Sequence, residues 1–342
     1  MSYQSINPAN GKILKKFKEL TNKQLETALK TAESCFETWR FKTFTERAVV
    51  VAKAAEILRA RVDDFAKPVT LEMGKLIAES RGEVELSADI LDYYAKNAES
   101  FLAPQTLKPH SGDAAIENTP FGVLFGIQPW NFPYYQLARF AAPNLMAGNV
   151  AMVKHAGCVP QCALAFEKLW LEAGAPAGAY TNLFISYAQV NHVIDDSRIE
   201  GVALTGSVDA GKSVAARAGQ NLKKNTMELG GSDAFIVLED ADLEKTVRWA
   251  VWAKMNNMGQ CCVAGKRFIV VESVADKFLE KFQTGRPNGL GDHVGPVIYG
   301  SRFGATSRPD QTSCIQGRKA RAGRQTHRSP RFIHGDDDFD EH

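Results

Sequence analysis

The run Asn257-Met258-Gly259-Gln260-Cys261-Cys262-Val263-Ala264 places a thiol just after a glycine turn, in a segment with little apolar periodicity. Most intracellular cysteines are inert core filler, and a nucleophilic one needs surroundings that favour its thiolate. Four other stretches carry residues that could work beside it. In Pro129-Trp130-Asn131-Phe132-Pro133, two prolines stiffen the backbone, so the Asn131 amide can be aimed as an oxyanion donor. The ordinary alternative is an aromatic–proline turn whose asparagine bonds its own backbone. Lys154 ends an apolar strand, where ligands gather in open α/β sheets, and could hold a ribose hydroxyl or a phosphate; a solvated lysine fits the sequence equally well. Leu204-Thr205-Gly206-Ser207-Val208 joins strand, glycine turn and helix start, a place where outward backbone N–H groups bind anions. Met227-Glu228-Leu229-Gly230-Gly231 sets a carboxylate beside paired glycines, free to move as a general base must, or else a plain surface glutamate at a strand end.

The third stretch has a second reading. Gly206 to Ser213 matches the Walker A string G-x-x-x-x-G-K-S, and Phe235 to Asp240 imitates a Walker B strand, so a P-loop nucleotide hydrolase is a rival. Against it, the string begins only at residue 206, after other strand-rich sequence, and it leaves the remaining motifs without a role.

The totals set bounds on these readings. A chain of 342 residues, 44% hydrophobic and 23% charged, suits a globular protein of about two domains. A formal net charge of +2 gives no reason to expect nucleic acid. No apolar run reaches the length of a membrane span and no signal-peptide pattern opens the chain. Six scattered cysteines do not read as a disulfide framework, so a reducing cytoplasm is the expected setting. The seven histidines form no His-Glu-x-x-His pair and the cysteines no Cys-x-x-Cys cluster, so no metal is expected.

The elements that must position these residues follow from periodicity. A capping box at Thr21 and Gln24 opens a helix over 21–40, with Leu25, Leu29, Ala32, Phe36 and Trp39 on one face. A second helix is predicted from about 45 to 65, Pro68 punctuates, and a third helix runs from the late seventies to about 101. Residues 102–120, with three prolines and Ser111-Gly112-Asp113, read as an arm or hairpin. Strands are then predicted over 121–127, 149–154, 181–185, 199–205, 234–238 and 268–271. Helices over 136–146, 160–173, 211–218, 243–254 and 275–282 alternate with them. Such alternation argues for a largely parallel sheet covered by helices. From residue 285 the composition turns to Gly, Arg, Ser, Pro and Asp without apolar period, as in disordered or foreign sequence.

Taken together and in this order, Pro-Trp-Asn-Phe-Pro, the strand-end lysine, Thr-Gly-Ser-x-x-x-Gly, Glu-Leu-Gly-Gly and Gly-Gln-x-Cys resemble the aldehyde dehydrogenase family over about residues 1–284. The segment 129–156 is most similar to its succinate-semialdehyde dehydrogenase branch. The resemblance implies an open Rossmann-like parallel sheet for dinucleotide binding (1–101 and 121–228), an oligomerisation arm (102–120) and the start of an α/β catalytic domain (229–284), left incomplete. It implies aldehyde oxidation to the acid, with succinate semialdehyde as substrate. Cys262 matches the nucleophile, with Cys261 a bystander. Asn131 and the Cys262 N–H would steady the oxyanion, and Glu228 would activate water. For the cofactor, Lys154 matches the ribose contact, Gly206 and Ser207 the pyrophosphate turn, and Trp130 and Leu229 neighbours of the nicotinamide half. NAD is the expected cofactor with NADP allowed, because residue 157 is Gly where many NAD-preferring members carry a glutamate.

The family's Glu-x-Phe-Gly-Pro segment and its closing stretch are not found; Asp292-His293-Val294-Gly295-Pro296 lies too close to Cys262 to stand for the first. A truncated or frame-shifted C-terminal region is therefore expected. With it go impaired activity and doubtful assembly into the family's homo-oligomer, the extreme case being a non-catalytic remnant.

Overall fold

The computed structural model describes residues 3–284 and 331–334. The chain divides into two compact units, Met1–Leu229 and a second beginning at Gly230.

The first unit opens with an antiparallel hairpin, β1 (Tyr3–Ile6) and β2 (Ile13–Phe17), followed by four helices, α1 (Asn22–Trp39), α2 (Phe44–Ala60), α3 (Val62–Met73) and α4 (Ile77–Phe101). Capping boxes start α1 at Thr21/Gln24 and α2 at Thr43/Glu46, each satisfying two backbone donors that a helix start leaves open. A short hairpin, β3 (Gln105–Leu107) with β4 (Ala114–Ile116), lies where the arm is predicted. Alternation then sets in: β5 (Val123–Gln128), α5 (Pro133–Met146), β6 (Val150–His155), α6 (Pro160–Glu172), β7 (Tyr180–Asn182), α7 (Tyr187–Asp195), β8 (Ile199–Gly206), α8 (Val208–Gln220) and β9 (Lys224–Leu229). The five strands form one parallel sheet in the order β7-β6-β5-β8-β9. The chain leaves β5 toward β6 and β7, then crosses back to β8. The ends of β5 and β8 therefore flank the switch point where such sheets bind ligands. β6 is buried along its whole length, as a central parallel strand must be.

Three expectations differ from this. The helix predicted over about 45–65 is broken at Arg61 (φ −128°, ψ 39°) into α2 and α3. Pro68 lies inside α3 instead of ending a helix; that helix stops at Gly74, whose left-handed φ of 80° suits a residue without Cβ. The strand predicted over 181–185 is the shorter β7. The β1–β2 hairpin, α7 and β9 have no counterpart in the prediction. β9 is an edge strand with mostly exposed residues, so it carries no apolar signature to read.

The second unit is a βαβ element: β10 (Asp233–Val237), α9 (Leu243–Met255) and β11 (Gly265–Val270), with the two strands parallel, then α10 (Glu272–Thr284). Val237, Val247, Ala250, Phe268, Val270 and Phe278 form its core. β12 (Arg331–His334) adds to β11 antiparallel, a strand in a stretch where none is predicted. An edge strand's open N–H and C=O groups accept such a partner whatever its side chains. The rest of the C-terminal stretch expected to be disordered or foreign lies outside the described residues.

Candidate active site

In the first unit the predicted residues stand at the C-terminal ends of neighbouring strands. β5 ends at Gln128, and Pro129 to Phe132 turn the chain into α5, which opens on Pro133. The Asn131 carbonyl accepts a hydrogen bond of 2.9 Å from Lys75 Nζ. Lys154, one strand over in β6, is only 6% exposed, which excludes the solvated-lysine reading. Its Nζ donates to the His155 carbonyl at 3.3 Å and stands 5.6 and 5.7 Å from the ring centres of Tyr3 and Tyr187. Burial lowers its pKa, so an incoming anionic or polyhydroxyl group would meet an ammonium that gains from a partner. His155, fully buried with Nδ1 3.2 Å from the Gln128 carbonyl, is pushed down to about 4 by desolvation and stays neutral.

β8 ends at Gly206, and α8 begins two residues later with Ser207 as its N-cap; Ser207 Oγ accepts from the Ala210 N–H at 3.3 Å. Residues 207–210 are all exposed. The Walker-like string therefore has no loop long enough to wrap a triphosphate. Its second glycine, Gly211, lies within α8, where an added Cβ would meet Leu229 Cδ2 at 2.6 Å, so this glycine lets α8 approach β9. Lys212 points to solvent and pairs with Asp209 at 3.7 Å. Neither behaves as a P-loop residue.

Two buried carboxylates show what the other helix starts do. Glu72, from α3, accepts the N–H groups of Gln161 and Cys162 at 2.9 and 3.1 Å, at the start of α6. Glu83, from α4, accepts those of Tyr134 and Tyr135 at 2.8 and 3.2 Å, at the start of α5. Of the helices that follow β5, β6 and β8, α8 alone leaves its positive end open to an outside anion.

Glu228, in β9, is about half exposed, and its Oε2 lies 3.5 Å from Nη2 of Arg139 on α5. Both line a groove of about 440 Å³ along the sheet, with Leu124, Gln136, Phe140 and Leu204. Trp130 is half-buried, and Leu229 closes β9.

In the second unit, Cys261 and Cys262 are half-buried and follow a 3-10 turn over Asn256–Gly259. There Asn257 (φ 52°), Met258 (φ 59°) and Gly259 (φ 79°) are all left-handed. Such a conformation costs about 1–2 kcal/mol for a residue such as Met258, less for an asparagine, and clusters at functional sites. Side-chain amides brace the turn: Asn257 Nδ2 donates to the Gln260 carbonyl and Gln260 Nε2 to that of Asn257, both at 3.2 Å. Burial raises Cys35 to about 11 and Cys162 well above the thiol range, so neither offers a thiolate.

Sequence reasoning missed Tyr3, Lys75, Glu72, Glu83 and Arg139. Only Arg139 left a trace, four residues after Tyr135 and so on the same face of α5, with its guanidinium 5.8 Å from that ring's centre. Among the described residues no group of three or more His, Cys, Asp or Glu could hold a metal ion, and no helix is long and apolar enough to cross a membrane.

The sequence profile of the aldehyde dehydrogenase family matches residues 1–321. A succinate-semialdehyde dehydrogenase [NADP(+)] of Deinococcus radiodurans is 44% identical over 302 residues, 86% of this chain and 63% of that protein. A probable succinate-semialdehyde dehydrogenase [NADP(+)] of Synechocystis is 41% identical, over 87% of this chain and 67% of its own length. The crystal structure of succinic semialdehyde dehydrogenase from Streptococcus pyogenes, in complex with NADP+, superposes with a TM-score of 0.81 at 45% identity, covering 82% of this chain and 62% of that one. The chain thus spans less than two thirds of the Deinococcus and Streptococcus proteins.

Proposed function

Since this chain belongs to the aldehyde dehydrogenase family, we propose that it contributes the cofactor site and the thiol of an enzyme that oxidises succinate semialdehyde to the acid with NADP+. The observation that carries this reading is the placement of Asn131, Lys154, Gly206 and Glu228 at the ends of four adjacent parallel strands, β5, β6, β8 and β9. Lys154 and the open start of α8 suit the ribose and pyrophosphate of a dinucleotide. Support for NADP+ over the NAD expected from sequence comes from Gly157, which brings no carboxylate against a 2′-phosphate, and from the cofactor named for the relatives.

In this reading Cys262 has the role of the thiolate that adds to the aldehyde carbon, and the Asn131 amide that of an oxyanion donor; one such donor is worth about 3 kcal/mol in the transition state. NADP+, held by Lys154 and the start of α8, would supply the acceptor for the hydride. Glu228 then takes a proton from water, which attacks the thioester, and acid and thiol separate. Arg139, beside Glu228 in the groove, is the cation for the substrate's distal carboxylate.

The test is an aldehyde panel with NADP+ and NAD+ on the chain and on Cys262→Ala and Arg139→Ala. Reduction of NADP+ by succinate semialdehyde should vanish in Cys262→Ala. In Arg139→Ala, KM should rise for succinate semialdehyde by about tenfold or more and stay unchanged for an uncharged aldehyde. Cofactor reduction that survives loss of the thiol refutes the proposal.

A further inference from the structure

Lys75 and Glu83 are 1% and 3% exposed and form an ion pair inside the first unit. Lys75 follows Gly74, whose left-handed turn ends α3, and Glu83 lies in α4. Buried pairs of this kind contribute little net stability, since apolar residues of similar volume serve as well. What apolar residues cannot supply is direction, and this pair holds the backbone on both sides of Phe132 and Pro133. On one side Lys75 Nζ donates to the Asn131 carbonyl at 2.9 Å and stands 3.7 Å from the centre of the Phe132 ring. On the other, Glu83 Oε1 accepts from the Tyr134 and Tyr135 N–H groups while its Oε2 takes the Lys75 ammonium. Phe132, the N-cap residue of α5, contributes no side-chain cap, so the task falls to Glu83.

We propose that Lys75 and Glu83 are positioning residues that fix the peptide plane of Asn131, and through it the direction of its side-chain amide. This rests on the oxyanion role proposed for Asn131. Neither residue touches substrate; each acts by denying the 131–135 backbone any other orientation. A donor misplaced by about 1 Å can lose a hundredfold in rate, so the loss of either hold should register at the reacting carbon.

The test compares the full chain with Lys75→Met/Glu83→Gln, Lys75→Arg and Asn131→Ala. In the double variant no buried charge is left unpaired, and the amide oxygen that replaces the Glu83 carboxylate still caps α5, so the hold on the Asn131 carbonyl is lost selectively. Lys75→Arg keeps the charge opposite Glu83 but moves the donors away, which covers a failure of the first variant to fold. Side-chain ¹⁵N relaxation of Asn131, identified by the signal that Asn131→Ala removes, should show an ordered amide in the wild type. The variants should show a loosened one, with Asn149 and Asn182 unchanged. The burst of p-nitrophenolate from p-nitrophenyl acetate, as Cys262 is acylated, should slow roughly ten- to a hundredfold, with little further loss when Asn131→Ala is added. An Asn131 amide that stays equally ordered in a folded variant overturns the proposal. A burst unchanged in Asn131→Ala overturns instead the oxyanion reading beneath it, and the relaxation data still decide whether the pair orients that residue.

Discussion

Three helices leave the C-terminal ends of β5, β6 and β8, and they begin in two different ways. α5 and α6 start against buried carboxylates of the protein itself, Glu83 and Glu72, which take two backbone N–H groups each. α8 starts in the open with a serine cap. All three carry the same partial positive charge, so the difference lies in what the surrounding helices supply. Two of the anion sites that a Rossmann-like sheet creates are filled by the protein's own carboxylates, and the third is the one that the proposed function gives to the pyrophosphate. On that proposal, selectivity for where the pyrophosphate goes would be written in α3 and α4, remote in sequence from the glycine turn.

The strongest way to break this contrast is to close the third site. Ser207→Asp keeps a good N-cap but sets a carboxylate where the pyrophosphate is proposed to lie. NADP+ affinity by calorimetry should fall at least roughly tenfold with the melting temperature held or raised; unchanged affinity would remove the pyrophosphate from α8. Glu72→Gln sharpens the other side. Desolvation raises the Glu72 pKa above its ordinary value, against the lowering pull of its backbone N–H partners. Between the unfolded and folded pKa values the folded chain binds the extra proton, so stability falls as pH rises from about 4.5 through the raised value. Urea titrations across that range should show the wild type losing stability relative to Glu72→Gln as pH rises; parallel curves would deny the burial cost. The smallest effect is expected from Lys212→Ala, with dinucleotide affinity changed less than about threefold, given the exposed and weak pairing of that lysine. A P-loop would lose nucleotide binding altogether.

The parts legible in the sequence are those whose signals are local. The capping box at Thr21, the apolar β6 and the strand–turn–helix at Gly206 each fit in a short window, and each is present in the structure. Pro68 misled because α3 carries a proline within it, and β9 was silent because an exposed edge has no alternation. Glu72 and Glu83 could not be read at all. Their partners lie 89 and 51 positions away, and an acidic residue on a helix reads as solvated until the packing is known. The chemical types at Asn131, Lys154 and Glu228 were readable; what holds Asn131 was not.

The left-handed run ahead of Cys261 and Cys262 has a consequence for the second unit. A backbone shape that Met258 does not choose for itself endures only while its neighbours insist on it. Met255, which leads into the turn, packs against the core that holds Val247 and Phe268, so loosening that core is expected to slacken the bend. Chemical behaviour of the cysteines then becomes a gauge of how tightly a distant cluster of aliphatic and aromatic groups is packed.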